Sequence, residues 1–118
     1  MVSHSALLYL FALLLLAAGV YHFVNPRFYD PIMPGWFPKP LANAAGGVAE
    51  IVIALGLLLP ATRPTALWAA GGLMLLFLPL HVWDVSKTRP AMGSHAAAAA
   101  RLLLQFALIW WLWRAARS

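Results

Sequence analysis

The sequence predicts an all-α protein, a bundle of four transmembrane helices with both termini on the same side and a Pro- and aromatic-rich loop between the first two. Composition is the first reason. The chain has 118 residues, 64% hydrophobic and only 9% charged, and its mean hydropathy of +0.82 lies far above that of ordinary soluble domains. Spacing is the second: apolar stretches cover residues 6–24, 41–59, 65–85 and 96–113, each near the roughly 20 residues needed to cross a hydrocarbon core about 30 Å thick. The third is texture. These runs are apolar all round, whereas a membrane barrel alternates apolar and polar residues over strands of about ten.

The first span is Leu-rich and ends in small residues at Ala17, Ala18 and Gly19, as a secretory signal would. The preceding MVSHS carries no Lys or Arg, and the apolar stretch exceeds a typical signal core, so it is read as a span. Loop one follows as NPRFYDPIMPGWFPKP. Its five prolines prevent a regular helix, and Phe28, Tyr29, Trp36 and Phe37 suit a headgroup layer. It reads either as an interfacial connection or as a lid over a membrane cavity.

The second span contains GGVAEIVIALGLLLP, with the carboxylate of Glu50 near its middle. Loop two, PATRP, is a tight connection. The third span carries Pro79, which removes a backbone donor and predicts a kink just before His81. Gly46, Gly47, Gly56, Gly71 and Gly72 permit close helix approach. The fourth span opens on AAAAA, which is helical filler. Trp68, Trp83, Trp110, Trp111 and Trp113 fall at span ends and read as interfacial belt residues. With four spans, loops one and three share one side, and the Lys/Arg distribution leans towards that side being cytoplasmic.

A net charge of +5, set by eight basic residues against Asp30, Glu50 and Asp84, is the usual outcome of anionic lipid and topology signals and does not point to nucleic acid. The absence of cysteine excludes thiol redox chemistry and thiolate metal sites by inventory. Any redox role would need a bound cofactor or partner.

Converted to depth at about 1.5 Å per residue, the polar residues gather towards loops one and three. His22 and His81 lie about one turn inside their spans and Glu50 and Gln105 roughly nine residues in, with Asn43, Asp84 and Arg101 shallower. Asn43, Gly46, Gly47 and Glu50 share one helical stripe, as do Met74, Phe77, His81 and Asp84, and Arg101, Gln105 and Leu108. An ionisable group facing lipid costs at least about 2.5 kcal/mol, so these faces are expected to turn inwards and frame one cavity. The bland alternatives are specific: His22 and His81 bonded to loop carbonyls, Asp84 paired with Lys87 or Arg101, and Glu50 held by His22, His81, Gln105 or Arg101. No ligand spacing of the His-x-x-His or Glu-x-x-His kind occurs, so no metal site is assigned.

The runs AGVYHFVNPRFYDPIMPGWFPKP, GGVAEIVIALGLLLPATRP, FLPLHVWDV and RLLLQFALIWWLWR resemble, in this order and spacing, the DoxX family of small four-helix membrane proteins, in its DoxX-like and MauE-like branch. The resemblance covers nearly all of residues 1–118. It implies a single membrane domain in the plasma membrane of a prokaryote. It also implies a redox-linked accessory subunit, with a soluble or membrane redox partner.

Four functions follow as expectations. The bundle holds a lipophilic, quinone-like molecule in the cavity framed by His22, Glu50, His81 and Gln105. Alternatively it modifies a lipid, with Glu50 and a histidine as acid and base, or binds haem through His22 and His81. In the fourth reading it anchors a soluble partner and its polar cluster only fixes the bundle. Membrane lipid is a partner in every case, and a homo-oligomer is compatible with each.

Overall fold

The computed structural model describes residues 4–118. Four long helices follow one another, α1 (His4–Val24), α2 (Lys39–Leu58), α3 (Arg63–Ser86) and α4 (His95–Arg117), with a short 3₁₀ helix, Pro26–Ile32, between the first two. Among the described residues there is no strand. Each predicted span lies within one long helix to within a residue, and the helices extend up to four residues beyond it. All four are long and apolar enough to cross a membrane. Their outward faces are apolar too: Leu14, Val52, Leu76 and Leu103 are all more than half exposed.

Periodicity explains how the helices pair. The buried positions of α1 are Leu8, Ala12, Leu15, Gly19 and His22, and those of α2 are Asn43, Gly47, Glu50, Ala54 and Leu57. Both follow alternating steps of four and three residues, the seam of a left-handed helix pair. Small residues in the seam bring the backbones together. A Cβ added at Gly19 would lie 2.9 Å from the carbonyl oxygen of Gly47, and one added at Gly47 would lie 3.1 Å from that of Gly19. Only glycine at both positions permits this approach.

Loop chemistry makes the remaining turns. After α2 the chain reverses within 59–62, where Thr62 Oγ1 donates to the carbonyl of Gly56 at 2.8 Å and Arg63 Nε to that of Leu57 at 2.7 Å. These are carbonyls that the end of a helix leaves without intrahelical donors. Pro64 occupies the first turn of α3, where its missing N–H costs nothing. The helix continues unbroken through Pro79. Between α3 and α4, Asp84 organises the loop: Oδ1 accepts from Ala91 N at 2.6 Å, Oδ2 from Met92 N at 3.4 Å, and Lys87 Nζ lies 3.5 Å away. Gly93 takes φ +97°, a left-handed turn position, and Ser94 Oγ caps α4 by accepting from Ala97 N.

The helices pack in sequence, α1 on α2, α2 on α3 and α3 on α4, and the edge-to-face contact of Phe11 with Trp111 links the first helix to the last. The buried seam changes chemistry along its length. Towards loop two and the C-terminal turn it is a hydrophobic core, including Leu8, Ala12, Leu57, Leu67, Ala70 and Leu112. Towards the 3₁₀ helix it carries every buried polar side chain of the described residues: His22, Asn43, Glu50, Asp84 and Gln105.

Candidate functional site

The seam of α1 and α2 places three of the predicted residues in direct contact. Side chains on a helix lean towards its N-terminus, so in this antiparallel pair His22 leans away from loop one while Glu50 leans towards it. They meet: His22 Nε2 lies 2.6 Å from Glu50 Oε1. On the other edge of the ring, His22 Nδ1 lies 2.7 Å from Asn43 Oδ1. Asn43 Nδ2 donates to the backbone carbonyl of His22, also at 2.7 Å. That second bond fixes which way the amide points, because only its NH₂ can donate to a carbonyl. The amide oxygen therefore faces Nδ1, and Nδ1 carries a hydrogen.

A chemical consequence follows for the opposite edge. With Nδ1 protonated, the contact between Nε2 and the carboxylate holds at most one further proton. On Nε2 it makes an imidazolium beside a carboxylate, and on Oε1 it makes a neutral pair. Either way the net charge is zero, so a shift of the proton within the pair leaves the charge unchanged, whereas its loss leaves the pair with one negative charge. Glu50 Oε1 is fully buried, and among the described residues its one polar contact is this ring nitrogen.

The 3₁₀ helix closes this pair from the loop side. The Tyr29 ring stacks on the His22 imidazole, with centroids 3.7 Å apart and planes 11° from parallel, and Tyr29 OH donates to the carbonyl of Ala18 at 3.0 Å. Burial pushes the Tyr29 phenol above its ordinary value of 10, helped by the charge of Glu50 and by Tyr21. Lys87 Nζ donates to the carbonyl of Pro31, which ties the loop after α3 to the same short helix. Asn25–Pro40 thus has a regular element, one that begins on Pro26 and contains Pro31. Pro26 sits at the start of that element, where its missing N–H costs nothing.

The other predicted residues form a second group. Gln105 is fully buried: its Nε2 donates to the carbonyl of Met74 at 2.7 Å, and its Oε1 accepts from Arg101 Nη1 at 2.8 Å. His81 is half-buried, and its Nδ1 is enclosed with no hydrogen-bond partner. Asp84 belongs to neither group, because its oxygens are taken by the loop it organises. Among the described residues, no hydrogen bond or ion pair joins the His22–Glu50 group to the Arg101–Gln105 group.

The haem expectation meets a geometric obstacle. An axial ligand needs an unengaged ring nitrogen, and both of His22's lie against side chains. Two contributors escaped the sequence reading. Tyr29 was legible only as an interfacial aromatic, and Gly19 only as part of a signal-like ending. Their signals were the eight-residue step from Tyr21 to Tyr29, too short to leave the helix end, and the seven-residue step from Ala12 to Gly19.

Comparison with known proteins corrects the family. A family model described as a domain of unknown function (DUF8561) matches residues 11–116. That match overturns the resemblance to the DoxX family. The quoted motifs combine small-residue seams, a Pro after an apolar run and a membrane-depth Glu, and any four-helix bundle built on close packing selects the same residue types. No curated protein matches the chain, and no solved structure does.

Proposed function

The chain belongs to the DUF8561 family, and from its geometry we propose that it is a multi-pass membrane protein whose first hairpin binds a lipophilic small molecule beside the His22–Glu50 pair. Four spans return both termini to one side and put the 3₁₀ helix on the other. The ligand class follows from the surroundings: an apolar skeleton for the helix faces, with a carbonyl or hydroxyl group to meet the pair. A quinone satisfies both requirements.

The observation that carries this reading is the buried Glu50 Oε1, whose one polar contact among the described residues is the exchangeable edge of the His22 ring at 2.6 Å. A pair kept only for stability is poorly motivated here, because apolar replacements of similar volume commonly stabilise a protein as well as a buried ion pair does. Ionisable groups at membrane depth instead mark ligand or proton sites. Asn43 holds His22 in one tautomer, so the exchangeable proton lies on the side of Glu50.

Titration of the purified protein in detergent with a decyl-substituted benzoquinone, followed by tryptophan fluorescence, tests the proposal. Glu50→Gln and His22→Phe should each weaken binding by roughly tenfold or more, the scale of one lost charge-assisted hydrogen bond. Asp84→Asn should leave binding unchanged. Equal affinity in wild type and in both pair variants would overturn the reading.

A further inference from the structure

The second hairpin contains a charge that no ion pair among the described residues neutralises. Arg101 is half-buried, and its one side-chain hydrogen bond goes to the neutral amide of Gln105. The chain has three carboxylates. Glu50 is taken by His22, and Asp84 by Lys87 and the amides of Ala91 and Met92. Asp30 makes no ion pair among the described residues. A guanidinium offers five N–H donors in a planar fork suited to carboxylate and phosphate, and most of Arg101's remain unused.

His81 supplies the second, independent sign. Its enclosed Nδ1 has no hydrogen-bond partner. Gln105 binds the carbonyl of Met74, and from that contact His81 lies two turns and Arg101 one turn towards the same loop; Arg101 and the Asp84 carboxylate both act on the imidazole electrostatically. Buried ring nitrogens are ordinarily bonded. A basic side chain without its counter-charge and an imidazole without its partner therefore lie together. His81 is five residues from the end of α3 and Arg101 six from the start of α4, so both lie about 8 Å inside the loop end, within reach of a group entering from that side.

We infer that Arg101 and His81 form a binding site for an oxyanion, a carboxylate or phosphate group, which completes Arg101's fork and takes a hydrogen bond from His81. The site lies in α3 and α4 and does not depend on a ligand at His22 and Glu50. Free phosphate and the headgroup of an anionic lipid share this chemistry.

The test uses the full chain in phosphatidylcholine nanodiscs, with inorganic phosphate as one probe and phosphatidic acid doped into the bilayer as the other. Affinity is read from the shift in thermal unfolding and from bound lipid in native mass spectra. Arg101→Gln should weaken binding roughly tenfold or more, and Arg101→Lys should retain more of it because the charge is kept but the fork is lost. Protection by phosphate in plain nanodiscs identifies a free anion, and protection by phosphatidic acid alone identifies a headgroup; both support the site. No protection by either probe overturns it, as does undiminished binding in Arg101→Gln. An equal loss in Arg114→Gln, at the far end of α4, would also overturn it by reducing the effect to general surface charge. Should Arg101→Gln fail to fold by circular dichroism, His81→Phe decides on the same criteria.

Discussion

The two hairpins solve the problem of a polar residue in an apolar helix in opposite ways. In α1 and α2 an acid meets a base at 2.6 Å, two glycines let the backbones touch, and an asparagine locks the ring that carries the proton. In α3 and α4 the cation's one hydrogen-bonded partner among the described residues is neutral, and Gly72, deeper in α3, has nothing within 4 Å of where its Cβ would stand. The first hairpin is closed in charge and in packing. The second contributes much of the hydrophobic core but leaves its buried cation without a counter-charge among the described residues, so the contrast lies in charge.

The comparison breaks most sharply at Glu50. Glu50→Ala strands His22 in an apolar seam and should cost about 3 kcal/mol of stability, as loss of one member of a buried pair commonly does. Replacing both members, His22→Phe with Glu50→Met, should recover most of that loss while abolishing binding at the site. Unfolding in mixed micelles across the four combinations measures the coupling. Packing comes next. Gly47→Ala puts a Cβ 2.7 Å from the Phe23 ring and 2.9 Å from His22 Cβ and should cost about 1–3 kcal/mol. Gly72→Ala meets nothing and should be neutral or slightly stabilising through helix propensity. Equal effects of the two alanines would erase the contrast between these glycines. A smaller effect is expected at Gln105→Leu, which removes one partner each from Arg101 and the Met74 carbonyl; a loss near 1–2 kcal/mol fits two bonds that water or neighbours partly replace.

These contrasts were only partly legible in the sequence. Span lengths read directly, because a bilayer-sized apolar run leaves little freedom for anything but a helix. The stripe of Asn43, Gly47 and Glu50 was visible too, since it depends on helical phase within one segment. Which stripe faces which was not. Sequence depth placed His22 level with His81 and Glu50 level with Gln105, whereas side-chain lean across the first seam brings His22 to Glu50, and among the described residues no hydrogen bond or ion pair joins that group to Arg101 and Gln105, which already shared a stripe. Partner choice across helices depends on packing offsets of a few ångströms, smaller than a single turn. Asp84 shows both sides: its pairing with Lys87 was open to a reading of residue types, but the backbone amides of its own loop that it also accepts from are announced by none.

The smallest effect concerns the cover on the closed hairpin. Tyr29→Phe keeps the ring on His22 but removes the hydroxyl that donates to Ala18, a loss of about 1 kcal/mol at neutral pH. That difference should depend on pH in a defined direction. The folded phenol titrates above its ordinary value of 10, so between that value and the higher folded one the unfolded chain holds fewer protons, and stability falls as pH rises. The wild type therefore loses its advantage over Tyr29→Phe from about pH 10 upwards, while below pH 10 the gap is constant. Alkaline unfolding of the two proteins side by side reads this directly. A gap that persists unchanged above pH 10 would mean that Tyr29 is an ordinary exposed phenol, and that the 3₁₀ helix does not seal the His22–Glu50 pair.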